Sequence, residues 1–306
     1  MNWTFELVHG PLGRPIGGLA WDGEAMLFSD VDESVIFRHD PRGNTVSPWR
    51  KYTNRTSGIA FGPGGALYGC QEGSRRVVCF LPDGSAATTT TKLHGRNHNY
   101  PRQLTIDRSG RVWFSDPYSA HPAMGPIAYP LLEHQSVLRL TCSPPPQSHW
   151  RMERVTFDTG APRGIALSPD EKMLYVAESD NTPGGTRELR AYPIVDDMTA
   201  LDKHIVLHTF GADHRGIHRG IEGLCVDSAA NVIACAGWRR SGSGPLVYVF
   251  SPAGVVLETH PLPADLPLDC AFGDPGLTSL YVSTAAGHLF RAKSTGHTGH
   301  LLHPQR

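Results

Sequence analysis

No stretch of this 306-residue chain is apolar for long enough to span a bilayer, and neither sign of charge is in excess. With 28 Lys and Arg against 29 Asp and Glu, there is no basic footprint of the kind that grips a phosphate backbone. The expectation is a protein that neither crosses a membrane nor binds nucleic acid. The opening Met1-Asn2-Trp3-Thr4-Phe5-Glu6 has no basic segment leading into an apolar one, which argues against a secretory signal and for a cytoplasmic home. Cysteine is sparse, six in all at 70, 79, 142, 225, 235 and 270, and no Cys-x-x-Cys pair occurs, which excludes the usual structural zinc. A chain of this length buries core enough without disulfides, so reduced, packed thiols are expected at Cys225, Cys235 and Cys270. Gly (33) and Pro (25) are plentiful, yet without a collagen-like period. They point to many short strands joined by tight turns.

What is present is a repeat. A small or polar residue opens an apolar strand, a turn follows, and a second apolar strand ends near an acidic or small residue. The copies begin Gly17-Gly18-Leu19-Ala20-Trp21, Ser57-Gly58-Ile59-Ala60-Phe61, Arg102-Gln103-Leu104-Thr105-Ile106, Arg163-Gly164-Ile165-Ala166-Leu167, Glu222-Gly223-Leu224-Cys225-Val226 and Leu268-Asp269-Cys270-Ala271-Phe272. Turn formers such as Pro63-Gly64-Gly65, Arg108-Ser109-Gly110 and Ser168-Pro169-Asp170 separate the paired strands. A third strand comes next, as in Val35-Ile36-Phe37-Arg38 or Leu246-Val247-Tyr248-Val249-Phe250, and then a fourth, as in Val255 to Thr259.

Four strands per copy, recurring along the whole chain, predict an all-β, six-bladed β-propeller with four antiparallel strands in each blade. A blade cannot bury both of its faces alone, so the six must stack in a ring. The expectation is one domain over 1–306, its propeller core at about 15–293 and residues 294–306 a frayed tail. Two long insertions break the rhythm, Pro117 to Gln135 and Gly211 to Gly220, and the second is expected to form a lid or a pocket wall. The polar run His94, Asn97, His98, Asn99 reads as solvated loop.

The repeat wording resembles the senescence-marker-protein/gluconolactonase/luciferin-regenerating-enzyme family of six-bladed propellers. The segments that carry the resemblance are Gly17 to Asp22, Asp107 to Pro117, Ala161 to Lys172, and Cys270 to Pro275 with Leu280-Tyr281-Val282. It implies one calcium or similar divalent ion at the channel mouth, held by an acid from the first phrase, Asn residues from middle phrases and an Asp from the fifth. The slots equivalent to those ligands are Gly17, Arg102, Arg163 and Glu222. Hard cations need oxygen donors, and only Glu222 supplies one, so Glu222 is the sole candidate metal ligand if an ion binds. Arginine is a permanent cation whose planar fork suits a carboxylate or phosphate. Two arginines converging on one mouth make a site for an anion and offer electrostatic stabilisation of an oxyanion.

Glu222 is the candidate general base, a surviving ligand or the partner that neutralises the arginines, and His218, just upstream, is a candidate acid/base group. Arg102, Arg163, Gln103, Ser57, Asp116 and Glu178 form the candidate substrate-contacting set. Asp116 and Glu178 enter it as acids expected to end inner strands near the channel. The resemblance implies hydrolysis or ring-opening of a small lactone or ester that bears a carboxylate or polyol. The same arginines would also suit a metal-independent isomerase or cyclase of an anionic metabolite. A non-enzymatic propeller that binds a ligand or partner through its open face is the third reading.

Overall fold

The computed structural model describes residues 2–119, 129–144, 149–182, 184–195 and 204–304, and the backbone at 198–199. Six four-stranded antiparallel sheets stand around one axis as blades, and no α-helix occurs among the described residues. The innermost strands are Ile16–Trp21, Thr56–Phe61, Leu104–Ile106, Pro162–Leu167, Ile221–Val226 and Pro267–Gly273. These are the strands of the repeated phrase, and each is followed by its antiparallel neighbour, as the turn chemistry between them requires. A short fifth pairing, Met198–Thr199, extends blade four.

The second strands carry the packing between blades. Met26–Asp30, Val112–Asp116 and Ser279–Thr284 are buried along their whole length, whereas the outermost Thr45–Lys51 is mostly exposed. Period-2 alternation puts side chains on both faces of each blade, and the neighbouring blade covers each face. Fully buried Phe28, Phe114, Phe250 and Tyr281 therefore sit between sheets, each contributing roughly 1.5–3 kcal/mol of burial.

Both chain ends differ from expectation. The core does not begin near residue 15, because Phe5–His9 pairs with Leu289–Ala292 and supplies the outermost strand of blade six. The ring is thus closed by hydrogen bonds between the two ends of the chain, reinforced by Glu6 with Arg291 and with Lys293 at 3.1 Å. Nor are residues 294–304 frayed. Ser228 N donates to Thr298 O at 2.8 Å, Gly299 N to Leu277 O at 2.8 Å, and His303 Nε2 to Asp107 O at 2.8 Å. Leu301 and Leu302 pack against separate core clusters on different sides of the ring. The tail therefore crosses the end of the channel where the inner strands finish.

The insertion at 211–220 folds locally, Ala212–Asp213 pairing with Gly216–Ile217. His98 and Asn99 are not solvated: both are fully buried against Asp116. The insertion from Pro117 to Gln135 lies partly outside the described residues.

Candidate functional site

Five of the six inner strands carry a register shift near their start: Gly17/Ala20, Thr56/Ile59, Pro162/Ile165, Ile221/Gly223 and Pro267/Asp269. In the third blade Arg102 and Gln103 precede the strand, tied to Ser115 by Arg102 N to Ser115 O at 3.0 Å and Ser115 N to Gln103 O at 2.9 Å. Irregularities of this kind turn a side chain away from the pleat. Here they aim the phrase-opening residues at the axis. Gly17, Ser57, Arg102, Arg163, Glu222 and Leu268 all line one cavity of about 590 Å³ at the mouth where the inner strands begin.

One residue deeper the ring reads Gly18, Gly58, Gln103, Gly164, Gly223 and Asp269. The backbones close in at this level: a Cβ on Gly223 would lie 2.5 Å from Leu268 O and 2.7 Å from Asp269 Oδ1. Only two members have side chains, and Gln103 hydrogen-bonds Asp269 across the axis. This pair divides the mouth from a lower apolar cavity of about 170 Å³, to which both also contribute.

Glu222 sits at the centre of the mouth, 2 % exposed. Arg102 Nη2 donates to its Oε2 at 2.8 Å, and Arg219 Nη2 reaches its Oε1 at 3.1 Å. Burial alone would push the Glu222 carboxyl up, but the guanidinium groups of Arg219, Arg102 and Arg163 outweigh it and hold it at about 2. Arg163 makes no side-chain hydrogen bond or ion pair among the described residues, and its buried Nε has no partner. Burial lowers its pKa, Glu222 opposes that, and the flanking Arg102 and Arg219 add to it. Farther out, Arg55 meets Asp32 at 2.8 Å and Glu72 at 3.8 Å.

Asp269, at the floor, accepts from Leu19 N at 3.1 Å and Cys270 N at 3.0 Å. Burial, and after it the adjacent Cys270 sulfur, raise its pKa to about 7, with the hydrogen bonds working against them. It stands poised between protonation states at neutral pH, which Glu222 does not.

The other expected site residues lie elsewhere. His218 lines a separate recess between blades four and five. There its ring stacks on Phe210 at 4.5 Å and its Nδ1 accepts from Gly220 N at 2.9 Å. Burial lowers its pKa to about 4, so it is neutral near pH 7. Asp116 is outside the cavity because its carboxylate holds His98 Nδ1 at 3.0 Å and Asn99 N at 2.7 Å. Glu178 is likewise consumed by the Gly160 and Ala161 amides. Both acids brace loops. Of the 211–220 insertion, only Arg219 reaches the cavity wall, beside Asn181 from another loop.

The donor set at this mouth does not fit a hard divalent cation. Such an ion takes 6–8 oxygen ligands. Position 17 has no side chain, positions 102 and 163 present cations, and both Glu222 oxygens are already held by arginines. Among the described residues no cluster of three or more His, Cys, Asp or Glu is arranged to hold a metal ion.

A family profile described as the SMP-30/Gluconolactonase/LRE-like region matches residues 17–286. A gluconolactonase of Zymomonas mobilis subsp. mobilis is 25% identical over 287 residues, covering 88% of this chain and 75% of that protein. Among solved structures, a gluconolactonase of Xanthomonas campestris is 27% identical, with a TM-score of 0.75, covering 95% of this chain and 89% of that one. The calcium-binding protein regucalcin of Agrobacterium tumefaciens superposes as well, with a TM-score of 0.75 over 99% of this chain and 98% of its own. At 14% identity that likeness concerns the fold alone. No helix among the described residues is long and apolar enough to cross a membrane.

Proposed function

The chain belongs to the SMP-30/gluconolactonase/LRE-like family, and on that premise we propose that it is a lactonase-like hydrolase opening a small lactone or related ester at the arginine-lined mouth. The observation that carries this reading is the pairing of a fixed cation with a poised acid in one cavity. Arg102 is pinned by Glu222, and Asp269, with a pKa of about 7, forms the floor beneath it.

In this mechanism Asp269, ionised, accepts a proton from a water molecule as that water attacks the lactone carbonyl. The carbonyl electrons move onto oxygen, and the oxyanion meets the Arg102 guanidinium, which needs no reorganisation because Glu222 already orients it. Collapse of the tetrahedral intermediate breaks the ring C–O bond, and the leaving alkoxide takes the proton back from Asp269. The product is a hydroxy acid and the enzyme returns to its starting state. Glu222 acts here as a positioning residue. Its pKa of about 2 makes it a weak base.

The test is a pH-indicator hydrolysis assay on a panel of sugar and aliphatic lactones, run with a chelator and again with added calcium. Turnover is expected to survive the chelator and to fall by roughly 10²- to 10⁴-fold in Asp269→Asn, the usual worth of general base catalysis. A circular-dichroism melt would confirm that the variant is folded. Failure to open any lactone under either condition, or full activity in the folded Asp269→Asn protein, would overturn the reading.

A further inference from the structure

The arginines at the mouth outnumber what Glu222 can satisfy. The Glu222 carboxylate faces three guanidinium groups, and its two oxygens are taken by Arg102 and Arg219, which leaves Arg163 without a direct contact to it. Three residues that line the cavity each carry a buried polar atom with no partner: Arg163 Nε, Arg219 Nη1 and Asn181 Oδ1. Two are donors on cations and the third is an acceptor. A buried polar group left unmet costs roughly 1–3 kcal/mol, and more when it is charged. Three in one wall of one cavity mark a place kept for a ligand. Glu72 lines the same cavity and feels the charge of Arg102, Arg55 and Arg163, but its one ion pair among the described residues is with Arg55 at 3.8 Å, and it reaches neither Arg163 Nε nor Arg219 Nη1.

We propose that the substrate of this site is an anionic lactone, whose free carboxylate is held by Arg163 and Arg219 and whose neighbouring hydroxyl donates to Asn181 Oδ1. This rests on the lactonase reading above and deepens it. The guanidinium fork matches a carboxylate with two parallel N–H···O bonds, which an ammonium or a neutral amide cannot reproduce. The carboxylate meant is a substituent and not the ester being cleaved, so Arg102 is left for the carbonyl. The ligand's negative charge also offsets the repulsion among the three clustered cations, which is one of the influences lowering the pKa of Arg163.

A matched pair separates the possibilities. D-Glucono-1,4-lactone and D-glucaro-1,4-lactone differ only in whether carbon 6 is an alcohol or a carboxylate. The wild-type protein is expected to favour the acid in kcat/KM by roughly 10- to 100-fold, the worth of one charge-assisted contact, and Arg219→Gln should bring the ratio near one. Thermal shift with D-glucarate, succinate and citrate reads the carboxylate site without turnover. At least one should raise Tm in a saturable way, with D-glucitol silent and Arg219→Gln unresponsive. Equal turnover of the two lactones with no shift by any anion would overturn the anionic substrate and leave the hydrolase standing. A saturable shift abolished by Arg219→Gln, without turnover of any lactone, would uphold the anion site and remove the hydrolase. Neither shift nor turnover would remove both.

Discussion

The two mouths of the propeller channel are built by the same six strands, yet they share almost no chemistry. Where the strands begin, the ring reads Gly17, Ser57, Arg102, Arg163, Glu222 and Leu268, and it surrounds an open cavity with three unpartnered polar atoms in its wall. Where they end, it reads Trp21, Phe61, Ile106, Leu167, Val226 and Phe272, without one charged side chain. The tail lies directly on that lower ring: a Cβ on Gly299 would sit 2.2 Å from Phe272 Cβ, so only glycine passes there. The difference separates two jobs. Apolar residues and a stopper stabilise one end, which lets the other hold crowded, desolvated charge that lowers stability and serves chemistry.

The strongest way to break this contrast is to remove the carboxylate that makes the upper mouth tolerable. Glu222→Gln leaves Arg102, Arg163 and Arg219 packed around a neutral side chain. Stability at pH 7 should fall by about 3–5 kcal/mol, as when one partner of a buried ion cluster is lost. The folded pKa of Glu222, about 2, lies below the ordinary value of 4.5. Its contribution is therefore fully present above pH 4.5 and fades as pH falls through about 2. Urea denaturation across pH 2–7 should show wild type and variant converging at the acid end. A constant gap would mean that the carboxylate charge is not the cause.

Next in size is the other mouth. Deleting residues 294–306 removes Leu301 and Leu302 from the core and the His297 bond to Asp227 at 2.8 Å. A loss of about 2–4 kcal/mol is expected from two part-buried leucines. Activity per folded molecule should stay within about threefold, since chemistry at the far mouth keeps its residues. Differential scanning calorimetry paired with active-site titration checks both halves. A collapse of activity in the folded, truncated protein would show that the mouths are coupled.

A smaller effect concerns pH. With Asp269 raised to about 7, kcat/KM should climb with pH and reach half its plateau near pH 7. The same group acts on stability in the opposite direction from Glu222. Its neutral form is preferred in the folded protein, so its contribution is present below pH 3.8 and is lost as pH rises through about 7. A pH–rate profile flat from 5 to 9 would exclude Asp269 as the base.

The architecture and the mouth ring were legible because both follow from repetition. Aligning the six phrases places Arg102, Arg163 and Glu222 at one level without any contact being known. What repetition did not carry was harder to read. Phe5–His9 shows no phrase of its own, and its partner strand lies at the far end of the chain. Asp269 stands one place beyond the slot, where four other blades have glycine. Arg219 and Asn181 come from loops, whose paths no strand period dictates. Asp116 and Glu178 share a strand-end position near the mouth, but their oxygens are spent on His98, Asn99, Gly160 and Ala161. Sequence position located these acids; only their hydrogen bonds revealed their use.

The finest test lies at the wall between the cavities. Gln103 occupies a place where Gly18, Gly58, Gly164 and Gly223 have no side chain, and its Oε1 lies 2.7 Å from where a Cβ on Gly58 would be. Gln103→Gly makes that blade like its neighbours and joins the charged cavity to the apolar one. Below pH 7, where Asp269 is protonated, one neutral hydrogen bond is lost, so stability should change there by only about 1 kcal/mol. The bond from Gln103 is one of those holding the Asp269 pKa down against burial. Its removal should therefore move the midpoint of the pH–rate profile upward while the plateau changes little. An unmoved midpoint would mean that the group titrating in the rate is not Asp269, and that the contrast between the two mouths does not pass through the pair dividing them.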